Sequence, residues 1–394
     1  MEKKDVFIVS AVRTPLGSFG GVFANVPATE LGAIAIKGAL EKGNVNPNDI
    51  DEVFMGNVCS ANLGQAPARQ AALSAGISNS TPCSTINKVC SSGAKSIMLG
   101  AQSIQLGQAD IIVAGGMENM SAVPYYVPKG RFGYKYGNAE LIDGLHKDGL
   151  FDPYDQISMG VFADKTASKY EISRQNQDDF AIRSYRNSAA ATKNGIFANE
   201  IVGVSVTQRR GEPIVVLEDE EFKKVKFEKV PLLSAAFTKK GTVTAANAST
   251  INDGASALIL ASAEAVKKYK LIPIAKILSY ADSAQEPKWF TTAPTKAAPK
   301  ALKLAKMTIS DVDYFEVNEA FSVVPLVFNK ILNIDLNKVN VNGGAVSLGH
   351  PLGASGARIV TTLNNVLKSR DATIGCAAIC NGGGGASSIV IERL

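Results

Sequence analysis

Cys90, His350 and Cys380 each fall at a glycine-framed turn that reads as a passage from a strand to a helix. The first lies in Asn87-Lys88-Val89-Cys90-Ser91-Ser92-Gly93, the second in Leu348-Gly349-His350-Pro351-Leu352-Gly353, the third in Ile379-Cys380-Asn381-Gly382-Gly383-Gly384-Gly385. A thiol at a helix N-terminus meets partial positive charge, which favours the thiolate and makes it a nucleophile at neutral pH. A histidine beside such a thiol is the arrangement of an activated nucleophile. A glycine tract can present backbone N–H groups to an oxyanion. Thiol, imidazole and second thiol are what carbon–carbon chemistry on a thioester needs. Each alone has a plainer reading: a buried structural cysteine, a structural histidine, a flexible turn. Asn318-Glu319-Ala320-Phe321 follows the predicted strand Tyr314 to Val317, where a polar side chain can point into a crevice. A capping asparagine is its plainer reading.

Residues so far apart meet only if the fold brings their turns together, and the chain repeats itself in a way that would. Ala39 through Phe54 aligns without gaps on Ala301 through Glu316, each copy reading as helix, polar turn and strand. Gly93 to Ala114 reads as a helix with apolar Ala94, Ile97, Met98, Ala101 and Ile104, then a strand from Asp110. Gly353 to Ile379 repeats that order with Ile359, Val360, Leu363, Val366 and Leu367. Alternating helices and short β-branched runs predict layered α/β architecture. Two copies packed face to face would set Cys90 against His350 and Cys380. Residues 119–248 break the rhythm, with a mixed-charge run from Arg209 to Lys229, and read as an insertion. The expected units are 1–118 plus 249–270, the insertion 119–248, and 271–394.

The bulk numbers bound the function. The 394 residues are 46% hydrophobic and 20% charged, enough for a large core. A net charge of +5 is mild; it argues against nucleic acid and for a small anionic substrate. Five cysteines with no zinc-finger spacing point to a reduced compartment. Cys376 and Cys380 should share one strand face without being bonded. Met1-Glu2-Lys3-Lys4-Asp5 carries no apolar signal core, and no run is long and apolar enough to span a membrane. A cytoplasmic protein is the expectation.

The motifs around Cys90, His350 and Cys380, with Asn318-Glu319-Ala320-Phe321, resemble the thiolases in order and spacing. The likeness extends to Val12-Arg13-Thr14-Pro15 and Gly115-Gly116-Met117-Glu118-Asn119-Met120-Ser121, and covers nearly the whole chain. It implies the thiolase fold: two similar βαβαβαββ halves with an inserted loop domain, assembled as a homodimer or homotetramer. It implies that Cys90 is acylated, that His350 deprotonates it and coenzyme A, and that Cys380 moves the α-proton of acetyl-CoA. His350 and a water on Asn318 would hold one oxyanion; N–H groups of Cys90 and Gly382 would hold the other. For coenzyme A the resemblance implies Ser249, with Ala248 and Phe237 beside it. Met159, Leu150, Ala320 and Phe321 would line the acyl end, and Lys224 would lie near the nucleotide. No cofactor is required beyond coenzyme A and acetyl-CoA as substrates. Potassium-activated members match around Tyr185, Ala245, Ala246, Ala248 and Val346.

The chain departs from the short-chain biosynthetic pattern at Ser158-Met159-Gly160, where relatives often carry His-Met-Gly. That removes a polar wall residue and loosens the expectation on acyl length. The favoured reaction is reversible condensation of two acetyl-CoA to acetoacetyl-CoA and coenzyme A. The rivals are a longer-chain 3-ketoacyl-CoA thiolase and a non-catalytic acyl-CoA or lipid-binding relative. A ketoacyl synthase fits less, because that group uses no thiol like Cys380.

Overall fold

The duplication seen in the sequence reaches down to single hydrogen bonds. The computed structural model describes residues 4–208 and 210–394. The first three residues of the N-terminal reading, and Arg209 at the start of the mixed-charge run, lie outside. The first half runs β1 (Val6–Arg13), α1 (Ala28–Gly43), β2 (Glu52–Gly56), α2 (Pro67–Ser74), β3 (Cys83–Ile86), α3 (Ser92–Gln105) and β4 (Ile111–Asn119). After α4 (Met159–Lys169) and α5 (Arg174–Lys193) the chain returns as β5 (Asn252–Ser262). The second half runs β6 (Ala275–Ala284), α6 (Pro294–Leu304), β7 (Tyr314–Val317), α7 (Val323–Leu332), α8 (Leu352–Ser369), β8 (Ile374–Asn381) and β9 (Gly385–Arg393).

Among the described residues, one sheet has the order β7-β8-β9-β6-β1-β5-β4-β2-β3, with the two-residue strand Gly17–Ser18 added on β5. The halves meet where β1 and β6 pair at Phe7↔Lys276 and Ile8↔Ala275. Asp51 Oδ2 accepts from the N–H groups of Asp110 and Ile111, and Asp313 Oδ2 accepts from those of Thr373 and Ile374. Ser10 donates to the Ala39 carbonyl and Ser279 to that of Ala301, at register shifts in β1 and β6. Among the described residues, β3 has no counterpart strand in the second half. Val53 pairs there with Cys83, whereas Phe315, its counterpart, makes a single parallel bridge to Val339.

Alternation along the strands builds the layers. Leu258 and Leu260 of β5 face a core shared with Ile97 and Met98 of α3 and Ile359 and Val360 of α8. Ala257 and Ile259 face the opposite way, onto Leu31 and Ile36 of α1 and Ala68 of α2. In the second half Ala378 and Val390 face Ala298 of α6 and Phe328 of α7. Thus α3 and α8 form the layer common to both halves. Glycine permits their approach: a Cβ on Gly93 would lie 2.7 Å from the Ala357 nitrogen, and one on Gly356 2.3 Å from that of Ala94. The helices that follow Cys90 and His350 are therefore in direct backbone contact.

Candidate active site

The Cys90 turn is strained and held. Val89, β-branched, has φ of 48°, a conformation costly for such a residue. Asn87 Oδ1 accepts from Val89 N at 3.0 Å, and Ser92 Oγ accepts from Lys88 N at 2.8 Å while donating to the Val89 carbonyl at 2.6 Å. Ser91 Oγ donates to Asn381 Oδ1 at 3.0 Å, which ties the turn to the residue after Cys380. The N–H groups of Gly382 and of Cys90 itself act on the Cys90 sulfur and pull its pKa down. Burial outweighs them and pushes the thiol up to about 12. This corrects the expectation of a lowered thiol pKa. The helix end supplies only partial charge, whereas lost hydration penalises the whole thiolate.

Cys380 is buried in β8, and its turn joins two strands, β8 and β9, rather than a strand and a helix as expected. Burial, with Cys90 close enough to add to the effect, raises its pKa well above the usual thiol value. Cys376 shares its buried face; both are free, as are Cys59, Cys83 and Cys90.

His350 lies between the one-turn helix Ala345–Leu348 and α8, not between a strand and a helix as expected, and it is fixed from three sides. Its N–H donates to Asn252 Oδ1 at 3.0 Å. Gly349, at φ of 118°, admits Asn252 to a place where a Cβ would approach within 2.3 Å. Its Nδ1 lies 2.6 Å from Ser355 Oγ, and Ser355 donates to the Pro351 carbonyl at 2.8 Å. A hydroxyl that gives its one proton to a carbonyl must accept from the imidazole. Nδ1 then carries the ring proton and Nε2 accepts. Asn318 Nδ2 stands 3.4 Å from Nε2, and the Asn318 N–H donates to the Ala378 carbonyl at 2.9 Å. Burial first, and then the charge of Arg358, hold the imidazole down to about 3, so His350 is neutral.

His350 opens onto a cavity of about 500 Å³, in the range of small-ligand sites. Of the expected binding residues, Leu150, Met159, Phe237 and Phe321 form its apolar wall, with the Phe237 and Phe321 rings edge to face at 6.0 Å. Ala248, Ser249 and Lys224 also line it. Ala320 does not: its side chain is packed in the core, and its carbonyl accepts from Ser249 N at 3.0 Å, setting Ser249 in place. Val89 and Gly382 pack against each other and line a second hollow, and Met159 borders both it and the first. Tyr185, Ala245 and Ala246 line a third, with Glu221; Val346 is buried against Tyr185, while Ala248 belongs to the main cavity.

The sequence reading missed His146. This other histidine stands on the same cavity wall, with Nε2 3.3 Å from Ser158 Oγ and its ring 4.9 Å from that of Phe151. An imidazole therefore reaches the wall where Ser158 had been read as removing one. Only the inserted segment's fold reveals it; the spacing of His146 and Ser158 carries no signal.

Two buried thiols, a neutral imidazole and an amide, set on a duplicated α/β frame, define an acyl-transferring enzyme with the thiolase fold. Residues 6–264 match the thiolase N-terminal domain and residues 271–393 the thiolase C-terminal domain, so the chain belongs to the thiolase family. It is 58% identical to the acetyl-CoA acetyltransferase of Schizosaccharomyces pombe, over all of both chains. It is 55% identical to a mitochondrial acetyl-CoA acetyltransferase of Danio rerio, covering 99% of this chain and 92% of that one. A crystal structure of a thiolase from Ascaris suum in complex with coenzyme A superposes with a TM-score of 0.95. It is 49% identical and covers 99% of this chain and 100% of the other.

Proposed function

We propose that the protein is an acetyl-CoA C-acetyltransferase that condenses two acetyl-CoA to acetoacetyl-CoA and coenzyme A, reversibly, through an acyl-enzyme on Cys90. One observation carries the reading. Cys90 and Cys380 are close enough for one to raise the other's pKa, and His350, with Nε2 free to accept, opens onto the cavity. Full-length likeness to acetyl-CoA acetyltransferases supports the short-chain reaction over the longer-chain alternative.

The neutral groups dictate the order of events. Neither Cys90 nor His350 is charged at rest, so attack and proton transfer are coupled. The Cys90 sulfur bonds to the acetyl carbon as its proton passes to His350 Nε2. Negative charge gathers on the thioester oxygen, where donors matter most. Collapse breaks the bond to the coenzyme A sulfur, which takes the proton from His350. His350 Nε2 then takes the proton of Cys380, the Cys380 thiolate takes the α-proton of a second acetyl-CoA, and the resulting enolate oxygen meets the Nε2–H so formed and a water on Asn318. The enolate carbon attacks the acetyl carbon, the bond to Cys90 breaks, and Cys90 recovers a proton from Cys380, which His350 reprotonates. N–H groups of Cys90 and Gly382 hold the acetyl oxygen in this half.

Ser249, with Ala248 and Phe237, positions the pantetheine arm, and Lys224 stands toward the phosphates. The residues that would hold potassium are Tyr185, Glu221, Ala245 and Ala246, which line one hollow together with Lys224, Lys226 and Lys229; side-chain and backbone oxygens of the first four are the ligand type a hard cation takes. Bound there, it would supply positive charge that stiffens the chain leading to Ser249. A homodimer or homotetramer is supported by exposed Phe132, Tyr136 and Leu141 on the inserted segment. The cytoplasmic placement rests on the unpaired cysteines; fractionation against mitochondria tests it. Steady-state thiolysis across a series of 3-ketoacyl-CoA lengths tests the function. Preference for acetoacetyl-CoA supports it, and preference for longer chains overturns it.

A further inference from the structure

The helix that follows His350 carries a second group aimed at the same chemistry. Arg358 lies three residues after Ser355 on α8, on the same helical face, and is 1% exposed. Its Nη2 is 3.5 Å from Asn318 Oδ1, and its Nη1 is 3.6 Å from Glu316 Oε2. Glu316 and Asn318 belong to one strand end, Glu316 within β7 and Asn318 just beyond it. Among the described residues, the guanidinium's Nε and Nη1 make no hydrogen bond, and neither does Glu316 Oε1. A buried cation so lightly satisfied is costly to keep, and well-packed apolar residues would serve stability as well or better. Its placement therefore asks for a role other than holding the core together.

The chemistry of guanidinium supplies one. Arginine only donates, so the atom Asn318 turns toward it must be the oxygen. The amide nitrogen is thereby sent the other way, to His350 Nε2. If the Asn318 amide were reversed, its oxygen would face the Nε2 lone pair at rest, would compete with the thioester oxygen once Nε2 is protonated, and would leave no N–H on that side to hold the water. We propose that Arg358 is a positioning residue for acyl transfer: it fixes the Asn318 amide with Nδ2 toward His350, while Ser355, on the same helix, fixes the imidazole. One helix thus sets both partners of the oxyanion site. The proposal rests on the reading of Asn318 and His350 as oxyanion donors.

A double-mutant comparison tests it. Arg358→Lys keeps the charge and loses the planar fork. It should lower kcat for acetoacetyl-CoA thiolysis about 10-fold, a part of the ~10²-fold expected for losing the donor outright. The KM for coenzyme A should stay within about 2-fold, because the effect appears only as charge develops. In an Asn318→Ala background the same change should cost less than about 2-fold, since the residue it acts through is gone. Should Arg358→Lys fail to fold, Arg358→Gln with Glu316→Gln removes both buried charges together. A glutamine amide can present either atom, so the amide of Asn318 is released and the same pattern is expected. Equal losses in both backgrounds, or no loss in the parent, would overturn the proposal. Parent-like kcat in Asn318→Ala alone would instead overturn the oxyanion reading beneath it.

Discussion

Ser355 Oγ lies 2.6 Å from His350 Nδ1 and hands its own proton to the Pro351 carbonyl, which leaves Nε2 of His350 as the free acceptor. The base is thus oriented by the helix it precedes. With burial holding its pKa down to about 3, it waits neutral, as does the Cys90 thiol.

A pH profile follows from that state. The ordinary histidine value is 6.5, and the folded value lies below it, so the unfolded chain takes up the proton first as pH falls. His350 therefore contributes stability that is full above 6.5 and is lost as pH falls toward about 3. Activity should follow the same sign: kcat/KM for thiolysis should show no break near 6.5. A break there that vanishes in His350→Asn would contradict the neutral-base account.

Cys380→Ser should still become acetylated at Cys90 yet lose carbon–carbon bond formation and cleavage. A serine hydroxyl is far less acidic than a thiol, and a general acid–base step of this kind contributes at least about 10²-fold. Label transfer from acetyl-CoA and acetoacetyl-CoA turnover are measured on the same sample. Near-parent turnover would contradict the role.

Asn318→Ala should lower kcat roughly 10²-fold, the low end for an oxyanion donor because a water intervenes. The KM for coenzyme A should move little. Unchanged kcat with a greatly raised KM would make Asn318 a binding residue.

The frame was largely legible in the sequence because duplication leaves a repeated pattern. Asp51 and Asp313 occupy aligned positions and make the same pair of hydrogen bonds, and the strand Tyr314–Val317 falls where the alternation put it. The candidate reactive side chains stood out in the sequence through their glycine-framed turns. Electrostatics was not: a helix N-terminus can be read from a sequence, but the depth at which Cys90 is buried cannot. Arg358 was hidden among the apolar residues of α8, where a lone arginine reads as solvent-facing. His146 was hidden because the inserted segment, not periodicity, carries it to Ser158.

His146 supplies a prediction of its own. It lines the cavity and pairs with Ser158, so it should act in binding rather than in chemistry. His146→Ala should raise the KM for coenzyme A about 3- to 10-fold, the value of one hydrogen bond of about 1 kcal/mol, and leave kcat unchanged. A fall in kcat at constant KM would place it in the chemical step.

The central claim is that the acetyl group passes through Cys90, and mass analysis of the peptides after brief exposure to acetyl-CoA tests it most directly. Acetyl should be found on the peptide carrying Cys90, with none there or on Cys380 in Cys90→Ala. Acetyl on Cys380, or a Cys90→Ala enzyme that still exchanges acetyl groups with coenzyme A, would contradict the account.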